Sequence, residues 1–470
     1  MLHHNATDTI CAISTPHGHG GIAVVRISGD DAFTNCRKIF KPAKKTVSLP
    51  DERHTGTSII FGHVFRNHEL LDEALVFAFR APHSYTGENV VEISCHGSLY
   101  IQQEILKLLL ASGCRLATAG EFTLRAFLNG KLDLSQAEAV GDLIASSSSA
   151  AHRVALQQMR GGISHELHGL RDRLLHFTSL VELELDFSDE DVEFADRKQL
   201  KDIVIQIEVV LRRLANSFET GNAIKNGIPV VIVGETNAGK STLLNRLLRE
   251  ERAIVSDMHG TTRDAIEDTV VIDGLMFRFI DTAGIRETHD AIEQLGIERT
   301  FKKIEQASIV LWVIDLANDT QNIQKLSKQI FYHKEDKKLI LLFNKADLLT
   351  AEECATKAAY FNWFNVDYMV ISAKSDADIA QLECKLTEAA NIPQIGDNDV
   401  IVTNMRHYEA LVKALSAIER VMEGLNAGIS GDFLSQDIRE CLYHLGEITG
   451  QQIGTEEVLG NIFSKFCIGK

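Results

Sequence analysis

The sequence lacks the features that mark secreted, membrane-spanning and metal-clustered proteins. Its eight cysteines form no C-x-x-C pair and show no spacing typical of metal ligands, so they predict reduced thiols in a cytoplasmic protein. The N-terminus has no basic start followed by an apolar stretch, and the strongest apolar run, residues 309–317, is far shorter than a membrane span. From these absences we predict that the protein is not exported and that it has no transmembrane segment.

Basic residues are also fewer than acidic ones. The 470 residues include 48 lysines and arginines against 65 aspartates and glutamates, a formal net charge of −17. Because an acidic surface repels phosphate backbones, we expect no non-specific binding to nucleic acid or anionic membranes, and any RNA partner must be held locally. With 45% hydrophobic residues, 32 glycines and only 6 prolines, the composition is that of a globular protein, and the length predicts about three domains.

The first 120 residues alternate between short β patterns and one helical pattern. Residues 23–28, 73–82 and 90–97 are predicted strands, because β-branched and aromatic residues recur in them between turn-forming residues. Residues 99–113 carry apolar side chains at helical spacing. We therefore predict an α+β domain for residues 1–120.

The rest of the chain predicts an α/β domain inserted into a helical one. Apolar residues recur every three or four positions in 121–222 and again in 391–470, a pattern typical of long amphipathic helices. Between them, residues 223–390 alternate apolar strands with helices, as in a mostly parallel sheet. The predicted fold class is therefore multidomain, α/β and α.

A phosphate-binding loop follows the first strand of the inserted domain. Residues 234–241, GETNAGKS, fit the pattern G-x-x-x-x-G-K-[ST] between an apolar strand and a helix. In such loops backbone N–H groups surround phosphate oxygens, the lysine adds charge at the β and γ phosphates, and the serine hydroxyl binds Mg²⁺. Ser241 is the predicted Mg²⁺ ligand. The predicted nucleotide contacts are Gly234, Asn237, Ala238, Gly239, Lys240, Ser241 and Thr242.

Three further motifs at the ends of later strands predict a guanine nucleotide. DTAG, residues 281–284, is placed to hold Mg²⁺ indirectly and to sense the γ-phosphate. In NKAD, residues 344–347, the final carboxylate can accept two hydrogen bonds from the guanine edge, which adenine does not offer. SAK, residues 372–374, ends the next strand. The contacts predicted from these motifs are Asp281, Thr282, Ala283, Gly284, Asn344, Lys345, Asp347, Ser372, Ala373 and Lys374.

The hydrolytic part of this site departs from that of small GTPases. Thr262, in GTTRD, is the predicted second Mg²⁺ ligand, although Thr261 fits in another register. Ile285 stands where small GTPases carry a water-orienting glutamine, so another group must position the attacking water. The inserted domain is thus predicted to be a Ras-like P-loop GTPase domain with a different hydrolytic arrangement.

Motifs throughout the chain resemble those of the tRNA modification GTPase family MnmE, also called TrmE. The chain ends in FCIGK, residues 466–470, which closely resembles the C-terminal signature of the family. Residues 18–29, 84–92 and 120–140 are similar to its N-terminal motifs. One departure is Thr236 in the P-loop, where many members have proline.

The resemblance implies an enzyme that modifies the wobble uridine of certain tRNAs. Together with the FAD-containing protein MnmG (GidA), the family adds an aminomethyl or carboxymethylaminomethyl group to carbon 5, and a tetrahydrofolate in its 5-formyl or 5,10-methylene form supplies the carbon. It also implies a homodimer formed through the N-terminal domain and a heterotetramer with MnmG. The folate site implied for this domain comprises Arg26, Glu92, Lys131 and Lys470, which are groups able to bind folate carboxylates and pterin N–H groups.

The resemblance also implies how hydrolysis proceeds without a glutamine. Glu293 is similar to the family residue that positions the attacking water through a second water, although this position also suits a solvated helix residue. Asn237 and the following loop are similar to a potassium site, although Asn237 also suits a simple turn. The implied K⁺ ligands are Asn237, Ser256, Met258 and Thr261, and Ser256, Thr261 and Thr262 are also implied nucleotide contacts.

Two other functions fit parts of the sequence. One is a ribosome-associated GTPase switch of the Era or Der type, but residues 401–470 carry six basic residues against nine acidic ones, so a basic RNA-binding tail is missing. The other is a folate one-carbon transferase that is merely regulated by GTP. Two roles stay open for Cys467: it could be a nucleophile that adds to the uridine ring, or a side chain that only packs against its neighbours.

Overall fold

The computed structural model describes residues 8–44, 49, 57–186, 197–249, 267–280, 304–317, 337–359, 366–393, 396, 399–429, 431–451, 459, 462–464 and 466–469. They form two compact units. The described parts of 1–141, 158–211 and 410–470 make the first unit, and those of 142–157 and 212–409 make the second. The domain boundaries predicted after residues 120, 222 and 390 stay predictions.

A seven-stranded sheet organises the N-terminal part of the first unit. Its strands lie in the order β3-β4-β5-β6-β2-β1-β7 and are antiparallel except for the pair β1 and β7. The predicted strands are confirmed as β2, β5 and β6, although β5 ends at Phe79 rather than at residue 82. The strands are β1 (Ile10–Ile13), β2 (Ile22–Ser28), β3 (Phe40–Pro42), β4 (Thr57–Arg66), β5 (Glu69–Phe79), β6 (Val90–His96) and β7 (Arg115–Leu116).

Two helices cover one face of this sheet. These are α1 (Ala32–Ile39) and α2 (Leu99–Ala111), and α2 confirms the helix predicted at 99–113. Ile105 and Leu109 of α2 are buried in one apolar cluster with side chains of β2, β5 and β6. Large apolar side chains also remain exposed on the strands, among them Ile22, Ile59, Phe61 and Leu75.

Long amphipathic helices follow, as predicted for the helical segments. The helical pattern predicted over residues 121–222 is interrupted before residue 149, because Ser148 accepts from the N–H of Ala151 at 3.2 Å and so begins a new helix, α5. Among the described residues, no helix is both long and apolar enough to cross a membrane. The helices are α3 (Glu121–Leu128), α4 (Leu134–Ala145), α5 (Ser149–Met159), α6 (Gly162–Asp186), α7 (Arg197–Asn216) and α8 (Phe218–Asn226), and later in the chain α12 (Met405–Ala427) and α13 (Gly431–Thr449).

The second unit contains the predicted α/β sheet. Six strands lie in the order β13-β12-β11-β8-β10-β9, and all neighbours are parallel except β9 and β10. Every residue of β11 is buried, as expected for a strand covered on both faces. The strands are β8 (Ile228–Gly234), β9 (Asp268–Ile272), β10 (Leu275–Phe279), β11 (Ile309–Asp315), β12 (Lys338–Asn344) and β13 (Asp367–Val370), and the helices among them are α9 (Lys240–Arg249), α10 (Ala351–Ala359) and α11 (Asp376–Ala390).

Candidate functional site

The P-loop joins β8 to α9 and contains three residues with positive φ. Gly234 ends β8 with φ 150°, and Asn237 and Gly239 have φ of 64° and 99°. A Cβ on Gly234 would overlap the carbonyl oxygen of Val313, so this position requires glycine. A loop that places such residues among residues of negative φ can turn successive N–H groups toward one side, which is the cradle that a phosphate needs.

Lys240, the first residue of α9, folds back onto this loop. Its Nζ donates to the carbonyl of Gly234 at 2.8 Å and to that of Glu235 at 2.7 Å. Burial lowers the pKa of this amine, and the Glu235 carboxylate partly opposes the shift. The ammonium group therefore lies beside neutral carbonyls, where a phosphate oxygen would be the stronger partner. Ser241 and Thr242 follow in the first turn of α9.

Asn344 joins the P-loop to the loops that follow β12 and β13. Its Nδ2 donates to the carbonyl of Ala238 at 2.7 Å, and its Oδ1 accepts from the N–H of Ala373 at 3.0 Å. Asn344 is only 2% exposed, and these two hydrogen bonds satisfy both polar atoms of the buried amide. Three segments predicted separately from sequence, the P-loop, NKAD and SAK, thus meet at one edge of the sheet.

Asp347 presents a carboxylate at this edge. Ser372 Oγ donates to its Oδ1 at 2.8 Å, and Lys374 Nζ donates to its Oδ2 at 3.3 Å. The hydrogen bond from Ser372 holds the pKa of Asp347 below its ordinary value; burial opposes this shift and Lys374 adds to it. An ionised carboxylate that only accepts hydrogen bonds is the group that the guanine edge requires.

Part of the predicted nucleotide site lies outside the described residues. Of the two predicted Mg²⁺ ligands only Ser241 is described, and of the four predicted K⁺ ligands only Asn237. Within the described ranges, no three His, Cys, Asp or Glu side chains cluster as metal ligands. The predicted residues that fall outside the described ranges are Ser256, Met258, Thr261, Thr262, Asp281, Thr282, Ala283, Gly284, Glu293 and Lys470.

Arg26 and Glu92 form an ion pair on neighbouring strands of the first sheet. They face each other in register on β2 and β6, and Nε and Nη2 of Arg26 both lie 2.8 Å from Glu92 Oε1. The guanidinium carbon lies 5.3 Å from the centroid of the Tyr85 ring and 5.5 Å from that of Phe122. The motifs 84–92 and 120–140 contain these rings, although neither is among the site residues predicted from the sequence.

The C-terminal tail reaches the same ion pair. The carbonyl of Gly469 accepts from Ser14 Oγ at 3.0 Å and from Arg26 Nη1 at 3.4 Å. Gly469 has φ 97°, and a Cβ there would overlap the carbonyl oxygen of Ile13, so the close approach requires glycine. Lys470 is the next residue in the chain.

Lys131 contacts a different segment. Its Nζ donates to the carbonyl of Pro82 at 3.1 Å, in the loop between β5 and β6 that also carries Tyr85. The described part of the implied folate site thus has two groups of contacts, the Arg26 ion pair with the tail and Lys131 with this loop. Cys467, in the same tail, is exposed.

Two family models match the sequence. The MnmE helical domain matches residues 134–467, and the GTP-binding protein TrmE N-terminus matches residues 9–131. Both matches agree with the resemblance that the motifs indicated.

Curated relatives match almost the whole chain. The tRNA modification GTPase MnmE of Bacteroides fragilis is 58% identical over 98% of this chain and 99% of its own. The proteins of the same name from Bacteroides thetaiotaomicron and Flavobacterium johnsoniae are 56% and 52% identical, each over 98% of this chain and 99% of their own. Among solved structures, Aquifex aeolicus Era bound to GDP and AlF4⁻ aligns at 25% identity over 40% of this chain and 66% of its own, with a TM-score of 0.28 that is too low to carry an argument. From the family models and the curated relatives, the chain belongs to the MnmE family of tRNA modification GTPases.

Proposed function

We propose that this chain hydrolyses GTP in the course of modifying the wobble uridine of certain tRNAs. The observation that carries the proposal is the Asn344 side chain, which joins a P-loop to the NKAD and SAK loops. The family membership supports the same conclusion, since the curated relatives are named tRNA modification GTPases.

Different residues of the second unit would bind the phosphates, the base and the Mg²⁺ of GTP. The N–H groups of the P-loop and Lys240 would hold the phosphates, while Asp347, oriented by Ser372 and Lys374, would accept from guanine. Ser241 and Thr262 would hold Mg²⁺, which neutralises charge on the β and γ phosphates when it is bound. The Ser241 hydroxyl at the start of α9 fits this role.

For hydrolysis, we propose Glu293 as the residue that positions the attacking water and Asn237 as a ligand of K⁺. A bound K⁺ supplies positive charge near the β and γ phosphates, where other GTPases use an arginine. Asn237 has a short side chain with a neutral amide oxygen, and it lies in the P-loop itself. Both features suit it to bind a cation beside the phosphates. The remaining K⁺ ligands proposed are Ser256, Met258 and Thr261.

In the first unit, we propose a site for a tetrahydrofolate. Lys131 and Lys470 would bind its carboxylates, and Glu92, paired with Arg26, would accept from the pterin N–H groups at the other end of the molecule. The donor set fits a folate, because the Arg26 guanidinium, paired with Glu92, lies against the aromatic rings of Tyr85 and Phe122. A bound folate, as the 5-formyl or 5,10-methylene form, supplies the carbon of the modification.

The proposed partners are a second copy of this chain, the FAD-containing protein MnmG and tRNA, in the cytoplasm. Four large apolar residues of the first sheet are between 42% and 69% exposed, namely Ile22, Ile59, Phe61 and Leu75. Phe61 and Leu75 are paired in register on β4 and β5, and contiguous apolar exposure of this kind marks an interaction surface. It supports dimerisation through the N-terminal domain, and the heterotetramer follows when two copies of MnmG bind.

Co-purification tests the whole assignment. The chain should retain an FAD-containing protein and tRNA, and the mixture should modify the wobble uridine when GTP, a folate and an amine donor are supplied. Turnover of a small folate substrate without tRNA would favour a one-carbon transferase instead. Association with ribosomes and no modification activity would favour the Era-type switch.

The tail gives a sharper test of the folate site. Gly469→Ala should abolish tRNA modification and weaken folate binding while GTP binding is kept, because the new Cβ would overlap the carbonyl oxygen of Ile13. Deletion of residues 466–470 should do the same. Gly428→Ala is a matched control, since Gly428 also has positive φ, 67°, but its Cβ would meet nothing within 4 Å. Normal modification by either tail variant would refute a role for the tail.

A further inference from the structure

Asp315 is a buried carboxylate beside the base-binding loop that the proposed function does not yet use. It ends β11 and is paired in register with Asn344, the last residue of β12. Its side chain is 4% exposed. Oδ1 accepts from the N–H of Ala317 at 2.9 Å, and Oδ2 accepts from Lys345 Nζ at 2.6 Å.

Lys345 is constrained at both its backbone and its side chain. Its backbone has φ 67° and ψ 33°, a left-handed conformation that residues other than glycine seldom adopt. The short helical turn Ala346–Leu348, which carries Asp347, begins directly after it. At the other end of the side chain, the ion pair with Asp315 fixes the ammonium group.

An ordered lysine at this position matters for binding. A free lysine side chain populates many rotamers, and a ligand that packs against it must restrict them. The ion pair imposes that restriction before any nucleotide arrives, and a preorganised site binds more tightly. Lys345 stands between Asn344 and Asp347 in the chain, so its stem and backbone set the relative placement of both groups.

We propose that Asp315 is a positioning residue for guanine-nucleotide binding, which acts by holding Lys345 and the NKAD loop in the receptive conformation. The proposal rests on the proposed GTP-binding function and adds a residue to it. The alternative role for Asp315 is structural only, namely to satisfy the N–H of Ala317 at the end of β11. That alternative predicts a change in stability but none in nucleotide affinity.

A double-mutant cycle on the full chain separates the two roles. The dissociation constant of a fluorescent GDP is measured for wild type, Asp315→Asn, Lys345→Met and the double variant, and the unfolding midpoint of each is measured without nucleotide. Asp315→Asn keeps the shape and removes the charge, so it should weaken GDP binding roughly threefold to tenfold. In the Lys345→Met background the same change should have no further effect on affinity.

Stability should move differently from affinity. Lys345→Met leaves the buried carboxylate of Asp315 without its cation, so this variant should have the lowest unfolding midpoint, and adding Asp315→Asn should raise it again. The double variant would then be more stable than Lys345→Met yet bind GDP no better. Lys345→Asn, whose side chain tolerates the left-handed backbone but is too short to reach Asp315, replaces Lys345→Met in the cycle if that variant does not fold.

Asp367→Asn is the matched control. Asp367 also pairs with a lysine of the second unit, Lys385 at 3.6 Å, but its side chain is 75% exposed, and the variant should bind GDP as wild type does. Wild-type affinity in Asp315→Asn, or an equal loss of affinity in both Lys345 backgrounds, would overturn the positioning role. A wild-type protein that bound no guanine nucleotide would overturn the proposed function itself, and the positioning role with it.

Discussion

Asn344 donates from Nδ2 to the carbonyl of Ala238 at 2.7 Å, so the P-loop and the NKAD loop proposed to bind the base are connected by a buried hydrogen bond. The neighbouring Gly239 is required for this contact, because a Cβ there would overlap the same amide nitrogen. A nucleotide would therefore bind across two loops that are already held together, which reduces the ordering that binding requires.

Replacement of Asp347 by asparagine should exchange the base specificity of this site. Asp347→Asn presents an amide N–H where the guanine edge also presents N–H groups, so GTP affinity should fall by about a hundredfold or more, whereas xanthine nucleotides should bind better. Fluorescent GDP and XDP titrations measure both. Adenine nucleotides should bind neither form, and an unchanged GDP affinity would show that Asp347 does not contact the base.

The nucleotide site was largely predictable because its determinants are local in sequence. Glycines 234 and 239 stand where the backbone needs positive φ, and Lys240 and Ser241 begin the helix that the pattern requires. NKAD follows a strand whose residues are almost all buried, which made both the strand and its end recognisable. Asp315 was missed, since a lone acidic residue at the end of an apolar strand gives no motif.

Contacts between distant parts of the chain were not predictable from pattern. Ser14 and Gly469 are 455 positions apart, and nothing in either segment indicates that a serine hydroxyl donates to that carbonyl. Strands β1, β3 and β7 have only four, three and two residues, too short for a periodic signal. Only resemblance to a family brought Arg26, Glu92 and the tail together before the structure did.

The hairpin between β9 and β10 should depend on glycine at its turn. Gly274 has φ 77°, its carbonyl accepts from the N–H of Ala150 at 3.2 Å, and a Cβ there would overlap Ser149 Oγ. Gly274→Ala should destabilise the protein by about 1–3 kcal/mol, from backbone strain and from the overlap. Urea unfolding of the full chain measures this as a lower midpoint.

A second substitution tests the cause of that loss. Adding Ser149→Ala removes the overlapping hydroxyl, so the double variant should recover the steric part and keep only the backbone strain. Gly130→Ala, where φ is 67° and a Cβ would meet nothing within 4 Å, controls for backbone strain alone. Equal midpoints for Gly274→Ala and Gly130→Ala would show that contact with Ser149 contributes nothing.

His96 should titrate above its ordinary range. Its Nδ1 lies 2.6 Å from Asp72 Oδ1, and the hydrogen bond and charge of Asp72 raise the pKa of this exposed imidazole above 6.5, with a further contribution from Glu73. Because the folded protein binds the proton more tightly, the pair stabilises it fully below pH 6.5, and this contribution is lost as the pH rises through the folded-state pKa. NMR titration of His96 measures the shift. Asp72→Asn should return the midpoint toward 6.5, Glu73→Gln should lower it less, and an ordinary midpoint in the wild type would contradict the pairing.

GTP hydrolysis should require potassium. Ile285 cannot orient water, so we expect a cation bound by Asn237 and the loop 256–261 to meet the charge that develops between the β and γ phosphates. A site of neutral oxygens selects by cavity size and ligand number, so rubidium should replace potassium and the smaller sodium should not. Stabilisation of one such charge is commonly worth roughly 3 kcal/mol, about a hundredfold in rate.

Turnover in potassium chloride and sodium chloride at equal ionic strength measures this requirement. Asn237→Ala should lose the difference between the two salts, because it removes one of the cation's ligands, while its GDP affinity stays within a few fold of wild type. Thr236→Ala changes the neighbouring residue of the same loop and should keep the full potassium response. Equal wild-type rates in the two salts, or a potassium response that survives in Asn237→Ala, would place the source of positive charge elsewhere. Arg263 in the GTTRD motif and Arg286 just after DTAG are candidates for an arginine that supplies this charge, and they would then be the next residues to substitute.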